Sequence, residues 1–323
     1  MTVGAVSTGD GSLVPVAIDV PAGLDRNRAL GPDWAAWLDR LPGLARSLLA
    51  DWELERDGEA MHGFCSLVLP VLTPEGEAAV LKVSFDGDDE SEFETLMLQR
   101  AGGEAMVRLL RAEPGRRALL LERVHTRDLS TVGDTEACEI VAGLYPRIHR
   151  PAPPQLRTVT SYVERWAAPL ADLPRDAPVP RRMVEQTVSL ARDLVADPAS
   201  TGTTVHGDLH HHNVLAADRE PWLVIDPKPM SGDPHYEPAP MLWNCWDRVV
   251  ASGNVRGAVR RRFHVLVDDA GLDEERVRDW VVVRMVINAL WAIEDAERLG
   301  RPLDAEEREW ITRCVTIAKA VQD

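Results

Sequence analysis

Cysteine is scarce in this sequence, and no two cysteines stand close enough to suggest a shared bond or metal ion. Four occur among 323 residues, at positions 65, 138, 245 and 314, and none forms a CxxC pair. A disulfide framework and a zinc ribbon both need paired cysteines, so both are poor explanations of the fold. We expect reduced thiols, as in a cytoplasmic protein.

Long apolar runs are also missing. The longest, residues 280–293, is interrupted by Arg284 and Asn288, and it is too short and too polar to span a bilayer. The first residues, Met1-Thr2-Val3-Gly4, lack the basic segment and apolar run of a secretory signal. We therefore expect no membrane partner.

Basic residues are outnumbered by acidic ones. The 36 Lys and Arg residues face 52 Asp and Glu residues, which gives a net charge of −16. Such a surface repels the phosphate backbone of nucleic acids, so we expect no nucleic-acid partner. The charge favours a cationic ligand, although only weakly, because many inert surfaces are acidic too. Nothing in the sequence bears on the oligomeric state.

The composition is otherwise that of a globular protein, with 45% apolar and 27% charged residues. Residues 1–30 are rich in Gly, Pro and Asp, and we expect part of this segment to be loosely ordered. Residues 34–49 repeat Trp and Leu at helical spacing, which predicts an amphipathic helix broken near Pro42-Gly43.

The next part of the chain predicts a small antiparallel sheet. Strands are predicted at residues 66–72, 78–83, 107–110 and 118–122, and a helix at residues 91–99. The turn sequence Thr73-Pro74-Glu75-Gly76 joins the first two strands into a hairpin. Ser91 is the expected cap of the helix.

After Val124 the pattern becomes mainly helical. Helices are predicted at residues 135–149, 162–170, 181–196, 256–270, 274–299 and 305–321, with short strands near 204–205, 214–215 and 222–225. The sequence therefore predicts an α+β fold. Its domains are a small β-rich part with a leading helix, residues 1–124, and a larger helical part, residues 125–323.

The most informative stretch begins at His206-Gly207-Asp208. Asn213 follows Asp208 after five positions, and Asp226 comes after a further apolar run. This is the spacing that a kinase-type phosphoryl-transfer site needs. Asp208 would accept the proton of a substrate hydroxyl, and Asn213 and Asp226 would offer oxygen ligands to Mg²⁺. The alternative is an Asx-rich turn, in which these side chains cap local backbone.

Three consecutive histidines, His210-His211-His212, raise the alternative of a zinc hydrolase. Adjacent histidines rarely direct three nitrogens at one ion, and the chain has no HExxH motif. We expect His210 to pack within the loop and the other two to face solvent or the acceptor.

Lys82 stands near the end of the run Ala79-Val80-Leu81-Lys82, which has the shape of the kinase strand that carries the phosphate-binding lysine. We predict that Glu94, on the inward face of the next helix, pairs with it, with Glu92 as the fallback. The alternatives are a surface lysine and an exposed helix acid.

Two further segments are candidates for nucleotide binding. Gly58 and Gly63 flank a short loop whose backbone N–H groups could approach phosphates, although neither GxGxxG nor GxxxxGK[ST] is complete. Residues 119–124, with Glu122 and Val124 at their end, could present backbone groups to an adenine ring.

Together these residues resemble the kinase-like antibiotic phosphotransferases, above all the aminoglycoside 6-phosphotransferase (streptomycin 6-kinase) and hydroxyurea phosphotransferase family. The resemblance runs from about Trp34 to about Glu297. The strongest segment is His206-Gly207-Asp208-Leu209-His210 with Asn213-Val214-Leu215. Further segments are residues 51–58, 66–72, 106–110, 120–123, 219–228, 232–234 and 288–295.

The resemblance implies a two-lobed protein-kinase-like fold. It also implies transfer of the γ-phosphate of ATP (or GTP), with Mg²⁺, to a hydroxyl of a small molecule. By position, Asp208 becomes the base, Asn213 and Asp226 the Mg²⁺ ligands, and Lys82 the phosphate lysine. The first expectation for the acceptor is an aminoglycoside such as streptomycin. The alternatives are hydroxyurea, a cyclic peptide antibiotic or an amino sugar and, from another class, a nucleotide-binding module without turnover.

The sequence departs from this family at two places beside the expected acceptor site. His212 precedes Asn213 where relatives often have Gly, and Glu237 follows Gly-Asp-Pro where they often have Asp. We therefore predict that His212 and Glu237 contact the acceptor. Glu294 and Asp295 are predicted to pair with its guanidinium groups. For each acid the alternative is a solvated side chain.

Overall fold

The computed structural model describes residues 18–322. Most of the segment expected to be loosely ordered, residues 1–17, lies outside the described residues. Its later part is regular, with helix α1 (Ala22–Asp25) followed by a 3-10 helix (Arg26–Leu30). No helix in the described part of the chain is long and apolar enough to cross a membrane.

Contacts between Cα atoms divide the chain into two compact units. Unit 1 comprises Met1–Asp88 and Leu110–Arg123, and unit 2 comprises Asp89–Leu109 and Val124–Asp323. One change of unit lies next to the predicted boundary at residue 124, but the segment Asp89–Leu109 groups with unit 2. The domain limits of 1–124 and 125–323 therefore stay a prediction.

A six-stranded sheet forms the centre of unit 1. Its strands are β1 (Glu55–Arg56), β2 (Met61–His62), β3 (Ser66–Leu72), β4 (Ala78–Ser84), β5 (Leu109–Glu113) and β6 (Ala118–Glu122). The order is β1-β3-β4-β6-β5, and β2 also pairs with β3. The predicted hairpin of β3 and β4 is confirmed. Its turn depends on Gly76, whose φ of +82° favours a residue without Cβ.

Helix α2 (Pro32–Asp51) shares one apolar core with this sheet. Alternate residues of β3, among them Leu67 and Leu69, are fully buried together with Leu38 and Leu41 of the helix. The predicted break near Pro42 is wrong, because the helix continues through it. Pro42 removes one backbone hydrogen bond, at a cost of about 3 kcal/mol, and the buried face on both sides of it offsets that loss.

Helix α3 (Glu94–Ala101) begins later than predicted. Ser91 is not its cap, since the N-cap position belongs to Phe93 and has no side-chain hydrogen bond. Glu94 therefore occupies the first turn, where the partial positive charge of the helix N-terminus favours a carboxylate.

Unit 2 is mainly helical, as predicted. Its further helices are α4 (Asp134–Ile148), α5 (Val159–Asp172), α6 (Arg181–Ala196), α7 (Ala239–Trp243), α8 (Trp246–Ala251), α9 (Val255–Ala270), α10 (Glu274–Arg298) and α11 (Ala305–Ala320). The short helices α7 and α8 were not predicted. Helix α10 is buried along most of its length and packs against α5, α6, α9 and α11.

Two small sheets interrupt the helices of unit 2. They pair β7 (Thr203–Val205) with β10 (Met230–Gly232), and β8 (Val214–Ala216) with β9 (Trp222–Val224), both antiparallel. The strand β10 was not predicted from the sequence. These pairs carry the segment that holds Asp208, Asn213 and Asp226.

Candidate active site

The β8–β9 hairpin brings Asn213 next to Asp226. The N–H of Ile225 donates to the carbonyl oxygen of Asn213 at 2.9 Å, just beyond the last strand pair. Asn213 precedes β8 and Asp226 follows β9, so the two residues meet at the open end of the hairpin. The apolar strands between them account for the spacing seen in the sequence.

The loop of Asp208 is held beside the residues that follow Asp226. The N–H of Lys228 donates to the carbonyl oxygen of His206 at 2.8 Å. Gly207 has a φ of +83°, and a Cβ there would lie 2.3 Å from the carbonyl oxygen of Lys228. Any other residue at this position would strain the backbone and separate the two segments.

His206 links the segment of the predicted base to that of the predicted metal ligand. Its Nδ1 accepts from the N–H of Asp208 at 3.2 Å, and its Nε2 donates to the carbonyl oxygen of Ile225 at 3.0 Å. The ring is fully buried, and burial lowers the pKa of His206. One uncharged ring, with its proton on Nε2, therefore fixes Asp208 relative to the residue before Asp226.

The carboxylate of Asp208 is left partly accessible by its neighbours, whereas Asn213 is buried. The Asp208 side chain is 33% exposed, and its Oδ2 lies 3.6 Å from Nε2 of His210. Nδ1 of His210 accepts from the N–H of His212 at 3.2 Å, and its Nε2 lies 3.3 Å from the amide nitrogen of Asn213. The amide nitrogen of Asn213 donates to the carbonyl oxygen of Asp208 at 2.9 Å, which turns the amide oxygen of Asn213 away from that bond.

Asp226 has an unusual backbone conformation. Its φ is +53°, a left-handed value that Asp adopts more readily than most residues. Its Oδ1 lies 3.6 Å from Nζ of Lys228, which is largely buried. Conformations of this kind are frequent at functional sites, where the surroundings hold them in place.

Glu237 lies beneath residues 206–213, the candidate catalytic loop, and not at the protein surface. It is fully buried, and its Oε1 accepts from the N–H of His206, with Nε2 of His149 at 3.6 Å. Burial alone would raise the pKa of Glu237, but His149 and the His206 N–H outweigh burial and hold it below its usual range. The structure therefore does not support the acceptor contact predicted for Glu237. A desolvated carboxylate must keep its partners, and this one fixes the loop instead.

Arg284 gives the same loop a second buried anchor. Its guanidinium donates to the carbonyl oxygen of Gly207 and, at 3.3 Å, to that of Tyr236. It also stands 4.2 Å from the ring centroid of Tyr236 and 5.0 Å from that of Trp243. In the sequence, Arg284 stands out only as an interruption of the apolar run 280–293. A single charged residue inside an apolar helix indicates that its side chain is paired in the fold.

The three consecutive histidines have three different environments. His211 is fully buried, and neither of its ring nitrogens has a hydrogen-bond partner in the described part of the chain. Burial and nearby Arg262 lower the pKa of His211 to about 3. The expectation that His211 faces solvent or the acceptor is therefore wrong. Within residues 18–322, no three His, Cys, Asp or Glu side chains lie close enough together to hold a metal ion.

His212 is half-exposed and has a fixed orientation. Its Nδ1 lies 2.6 Å from Oδ2 of Asp128. The Cys245 thiol raises the pKa of His212 above its ordinary value, as does Asp128, although burial works against both. Asp128 itself is held by the N–H of Ser130 at 2.9 Å. His212 therefore stays available for the predicted acceptor contact.

The nucleotide-side residues predicted in unit 1 lie on the sheet or beside it. Lys82 is buried in β4, opposite Val68 of β3. Gly63 lies in the turn between β2 and β3, where its N–H donates to the carbonyl oxygen of Ser66 at 3.0 Å. Glu122 is the last residue of β6.

Two nucleotide-side residues, Glu94 and Val124, belong to unit 2 by their contacts. Glu94 is buried at the start of α3, so the alternative of an exposed helix acid does not hold. Its pairing with Lys82 stays a prediction.

A family model described as aminoglycoside/hydroxyurea antibiotic resistance kinase matches residues 51–296 of the chain. The chain belongs to this family. Streptomycin 6-kinase from Streptomyces glaucescens is 41% identical over 290 residues, which are 87% of this chain and 92% of that protein. Hydroxyurea phosphotransferase from Kitasatospora aureofaciens is 37% identical over 296 residues, 88% of this chain and 83% of that protein.

Among solved structures, choline kinase LicA from Streptococcus pneumoniae matches with a TM-score of 0.59 and 13% sequence identity. The match covers 87% of this chain and 99% of that one. At this identity the likeness shows the fold alone, and it confirms the predicted protein-kinase-like α+β class. Family membership confirms the predicted enzyme class, a phosphotransferase of the antibiotic-modifying kinases.

The two acids predicted to bind the acceptor of this antibiotic kinase differ in their surroundings. Asp295 is exposed and forms an ion pair with Arg298 at 3.0 Å. Glu294 is partly buried and forms no ion pair with any residue in the described part of the chain. Burial and the neighbouring acids, Glu297 and Asp295, raise the pKa of Glu294. A cation from outside the chain would therefore be better stabilised by Glu294 than by Asp295.

Three aromatic rings meet between α5 and α10, and one of them, Trp291, stands three residues before Glu294 on α10. Trp291 meets Trp166 and Tyr162 edge to face, with ring centroids 5.7 Å and 5.9 Å apart. The indole N–H groups of both tryptophans are buried and have no hydrogen-bond partner among residues 18–322. The guanidinium of Arg165 already stands 5.2 Å from the centroid of Trp166. Rings of this kind near an unpaired carboxylate suit a planar cation.

Proposed function

We propose that this chain is an ATP-dependent O-phosphotransferase that moves the γ-phosphate of ATP to a hydroxyl group of an antibiotic and thereby inactivates it. The proposed acceptor is an aminoglycoside such as streptomycin. The observation that carries the proposal is the arrangement of Asp208, Asn213 and Asp226 at one end of two strand pairs, fixed by the neutral ring of His206. Family membership supports the same chemistry.

Asp208 is the proposed base. It orients the acceptor hydroxyl and receives its proton while the hydroxyl oxygen bonds to the γ-phosphorus and ADP leaves. Its backbone N–H and carbonyl oxygen are both held, by His206 and Asn213 respectively, while its carboxylate is partly exposed. Such a site acts through positioning and charge neutralisation more than through the strength of the base.

The donor set fits Mg²⁺, which prefers oxygen ligands. The amide nitrogen of Asn213 is occupied by Asp208, so the amide oxygen is the atom left for a cation. Asp226 supplies a carboxylate next to it along the hairpin. Bound magnesium would neutralise charge on the nucleotide phosphates.

The assignment of Asp226 has a direct test. Asp226→Ala is expected to abolish the magnesium dependence of nucleotide binding, measured by titration of ATP with and without Mg²⁺. The matched control is Asp218→Ala, an exposed acid in the turn of the same hairpin. An unchanged Mg-ATP titration for Asp226→Ala would remove it from the ligand set.

On the nucleotide side, we propose Lys82 as the phosphate contact and Glu94 as its partner. The β2–β3 turn at Gly63 and the backbone near Glu122 and Val124 are the proposed contacts to phosphate and adenine. The burial of Lys82 supports this role, because a buried ammonium requires an anion. Competition between ATP and GTP in the transfer assay distinguishes the two nucleotides.

Glu294, Trp291 and His212 are the proposed acceptor contacts. Arg284 of α10 binds the catalytic loop, and Trp291 lies two turns further along the same helix, about 10 Å away. An acceptor with its hydroxyl at Asp208 and its cation at Glu294 must span a comparable length. A guanidinium-bearing aminoglycoside does so, whereas hydroxyurea, a one-carbon molecule, does not.

Hydroxyurea is the second candidate acceptor, supported by the 37% identity to a hydroxyurea phosphotransferase. A cyclic peptide antibiotic and an amino sugar are further alternatives. A nucleotide-binding module without turnover is the alternative outside enzymes.

One assay separates these possibilities. ADP release is measured with a panel of guanidinium-bearing and amine-only aminoglycosides, hydroxyurea, cyclic peptides and amino sugars, with Asp208→Asn as the control enzyme. The proposal expects the highest kcat/KM with a guanidinium-bearing aminoglycoside. A higher kcat/KM with hydroxyurea would make hydroxyurea the acceptor. ADP release that increases with none of the compounds would overturn the role in antibiotic resistance.

The proposed location is the cytoplasm. All four cysteines are free, and two of them, Cys138 and Cys314, are buried thiols. Free thiols are the usual state in a reducing compartment.

A further inference from the structure

The turn between β2 and β3, residues 62–66, is held by a short segment that precedes the sheet. The side-chain amide of Asn27 donates to the carbonyl oxygen of Phe64 at 2.6 Å. The ring of His62 packs directly on Gly23, where a Cβ would lie 2.2 Å from Nε2 of that ring. Residues 22–30 therefore contact the turn at two points, and a larger residue at position 23 would displace the His62 ring from its present position.

The turn is also held from the sheet side, where the N–H of Phe85 donates to the carbonyl oxygen of Cys65 at 2.7 Å and the Cys65 thiol donates to Asp88 at 3.0 Å. Its backbone is closed by the bond from the Gly63 N–H to Ser66, and the Phe64 side chain at its tip is 73% exposed. The Phe64 ring meets the edge of Trp34, at a centroid distance of 6.0 Å, and Trp34 stacks on Phe85 at 4.0 Å. The Asn27 bond adds a restraint at the tip residue, Phe64, itself.

The turn lies close to Lys82 along the sheet. Ser66 pairs with Ser84, and Val68 pairs with Lys82. The end of the turn is therefore two residues, or about 7 Å, from the strand position opposite the proposed phosphate lysine. Backbone N–H groups at this place can reach an anion that Lys82 also contacts.

We propose that residues 22–30 form a clamp that keeps the β2–β3 turn in the conformation that binds nucleotide phosphates, with Asn27 as its positioning residue. The clamp lies outside residues 51–296, the part of the chain that the family model matches. The inference rests on the proposed function, because it takes the turn to be a phosphate contact.

The first test is kinetic. Asn27→Ala removes the bond to Phe64, and Asn27→Asp keeps the shape but loses the donor. Both are expected to raise KM for ATP about fivefold, the worth of one hydrogen bond, with kcat and KM for the acceptor unchanged. The matched control is Arg28→Gln, which breaks the ion pairs to Asp25 and Asp39 on the same segment without touching the turn.

The second test needs no nucleotide. Chymotrypsin cleaves after exposed aromatic residues, so cutting after Phe64 reports how firmly the turn is held. Faster cleavage is expected in both Asn27 variants than in wild type and in Arg28→Gln, with equal melting temperatures. Cleavage at the wild-type rate would overturn the clamp even if the enzyme proved to have another function.

The combined outcomes are decisive. Faster cleavage with a raised KM for ATP supports the clamp and its role. Faster cleavage with an unchanged KM for ATP overturns the role in nucleotide binding. If Lys82→Met also leaves ATP binding unchanged, the proposed nucleotide site itself fails, whereas the cleavage result still decides whether the clamp exists.

Discussion

The catalytic segment, residues 206–213, and the acceptor end of α10, residues 291–295, belong to the same unit but are built in opposite ways. In the catalytic segment, His206 bonds to both Asp208 and Ile225, and Asn213 bonds to Asp208. At the acceptor end, Glu294 forms no ion pair with any of residues 18–322, and the indole N–H of Trp291 lacks an acceptor. Residues 206–213 are fixed by hydrogen-bond partners, whereas residues 291–295 contain polar groups without a partner among residues 18–322.

This difference fits the roles that we propose for the two regions. Phosphoryl transfer loses rate when a reacting group moves by an ångström, so its groups are held by buried bonds. Acceptor recognition depends on side chains that can change without loss of the fold. Relatives at similar identity are named for different acceptors, one as a streptomycin 6-kinase and one as a hydroxyurea phosphotransferase.

The largest effect is expected from the base. Asp208→Asn should lower kcat by about 10²- to 10⁴-fold, because the amide cannot take the hydroxyl proton. Nucleotide affinity, measured by calorimetry, and the melting temperature should stay at the wild-type values. Near-wild-type ADP release by this variant would remove Asp208 from the role of base.

The next effect tests the buried support of the loop. Glu237→Ala leaves the N–H of His206 buried without an acceptor and should cost about 1–3 kcal/mol of unfolding free energy. The fractional change in kcat should be larger than the fractional change in KM for ATP. Glu237→Gln keeps an acceptor oxygen and should recover most of both losses. Denaturant unfolding and steady-state kinetics measure the pair. Equal losses in the two variants would show that the negative charge of Glu237, which faces His149, contributes more than the hydrogen bond from the His206 N–H.

A third effect concerns Asp233, which packs away from the acceptor end. It is buried and accepts from Trp280 at 2.8 Å and from Arg276 at 2.5 Å. Burial alone would raise the pKa of Asp233, but the hydrogen bonds from His235 and Trp280 lower it from 3.8 to about 2. The stabilisation is therefore present above pH 4 and is lost as the pH falls through 2.

Asp233→Asn should accordingly lower the unfolding free energy by about 2 kcal/mol at pH 7. This difference between the variant and the wild type, the stability deficit, should become smaller between pH 4 and pH 2. Urea unfolding at pH 7, 5 and 3 measures this trend. Asp197→Asn, at the more exposed partner of the same Arg276, is the control and should change stability less. A deficit that does not depend on pH would contradict the lowered pKa.

The smallest effect is expected at the acceptor end. Glu294→Gln should raise KM for a guanidinium-bearing acceptor about fivefold, the equivalent of about 1 kcal/mol, and leave KM for ATP unchanged. Asp295→Asn should have little effect, because its carboxylate already pairs with Arg298. A larger effect of Asp295→Asn than of Glu294→Gln would contradict the choice of Glu294 as the acceptor contact.

Local patterns predicted much of the fold. The β3–β4 hairpin and α6 match the sequence-based bounds closely, because turn chemistry and apolar period act over few residues. Pro42 and Ser91 were misjudged, since tertiary packing outweighed a local breaker in the first case and a local cap in the second. The strand β10 was missed because only its pairing with β7 makes it a strand.

The sequence by itself determined the reaction: Asp208, Asn213 and Asp226 stand at distances that a loop and one hairpin convert directly into a site. The tertiary structure alone decided which other groups are available to a ligand. Glu237 and Glu294 looked alike as candidate acceptor contacts, yet one is buried under the loop and the other remains without an ion pair among residues 18–322. Burial depends on segments far away in the chain, such as His149 beside Glu237, and no local pattern records them.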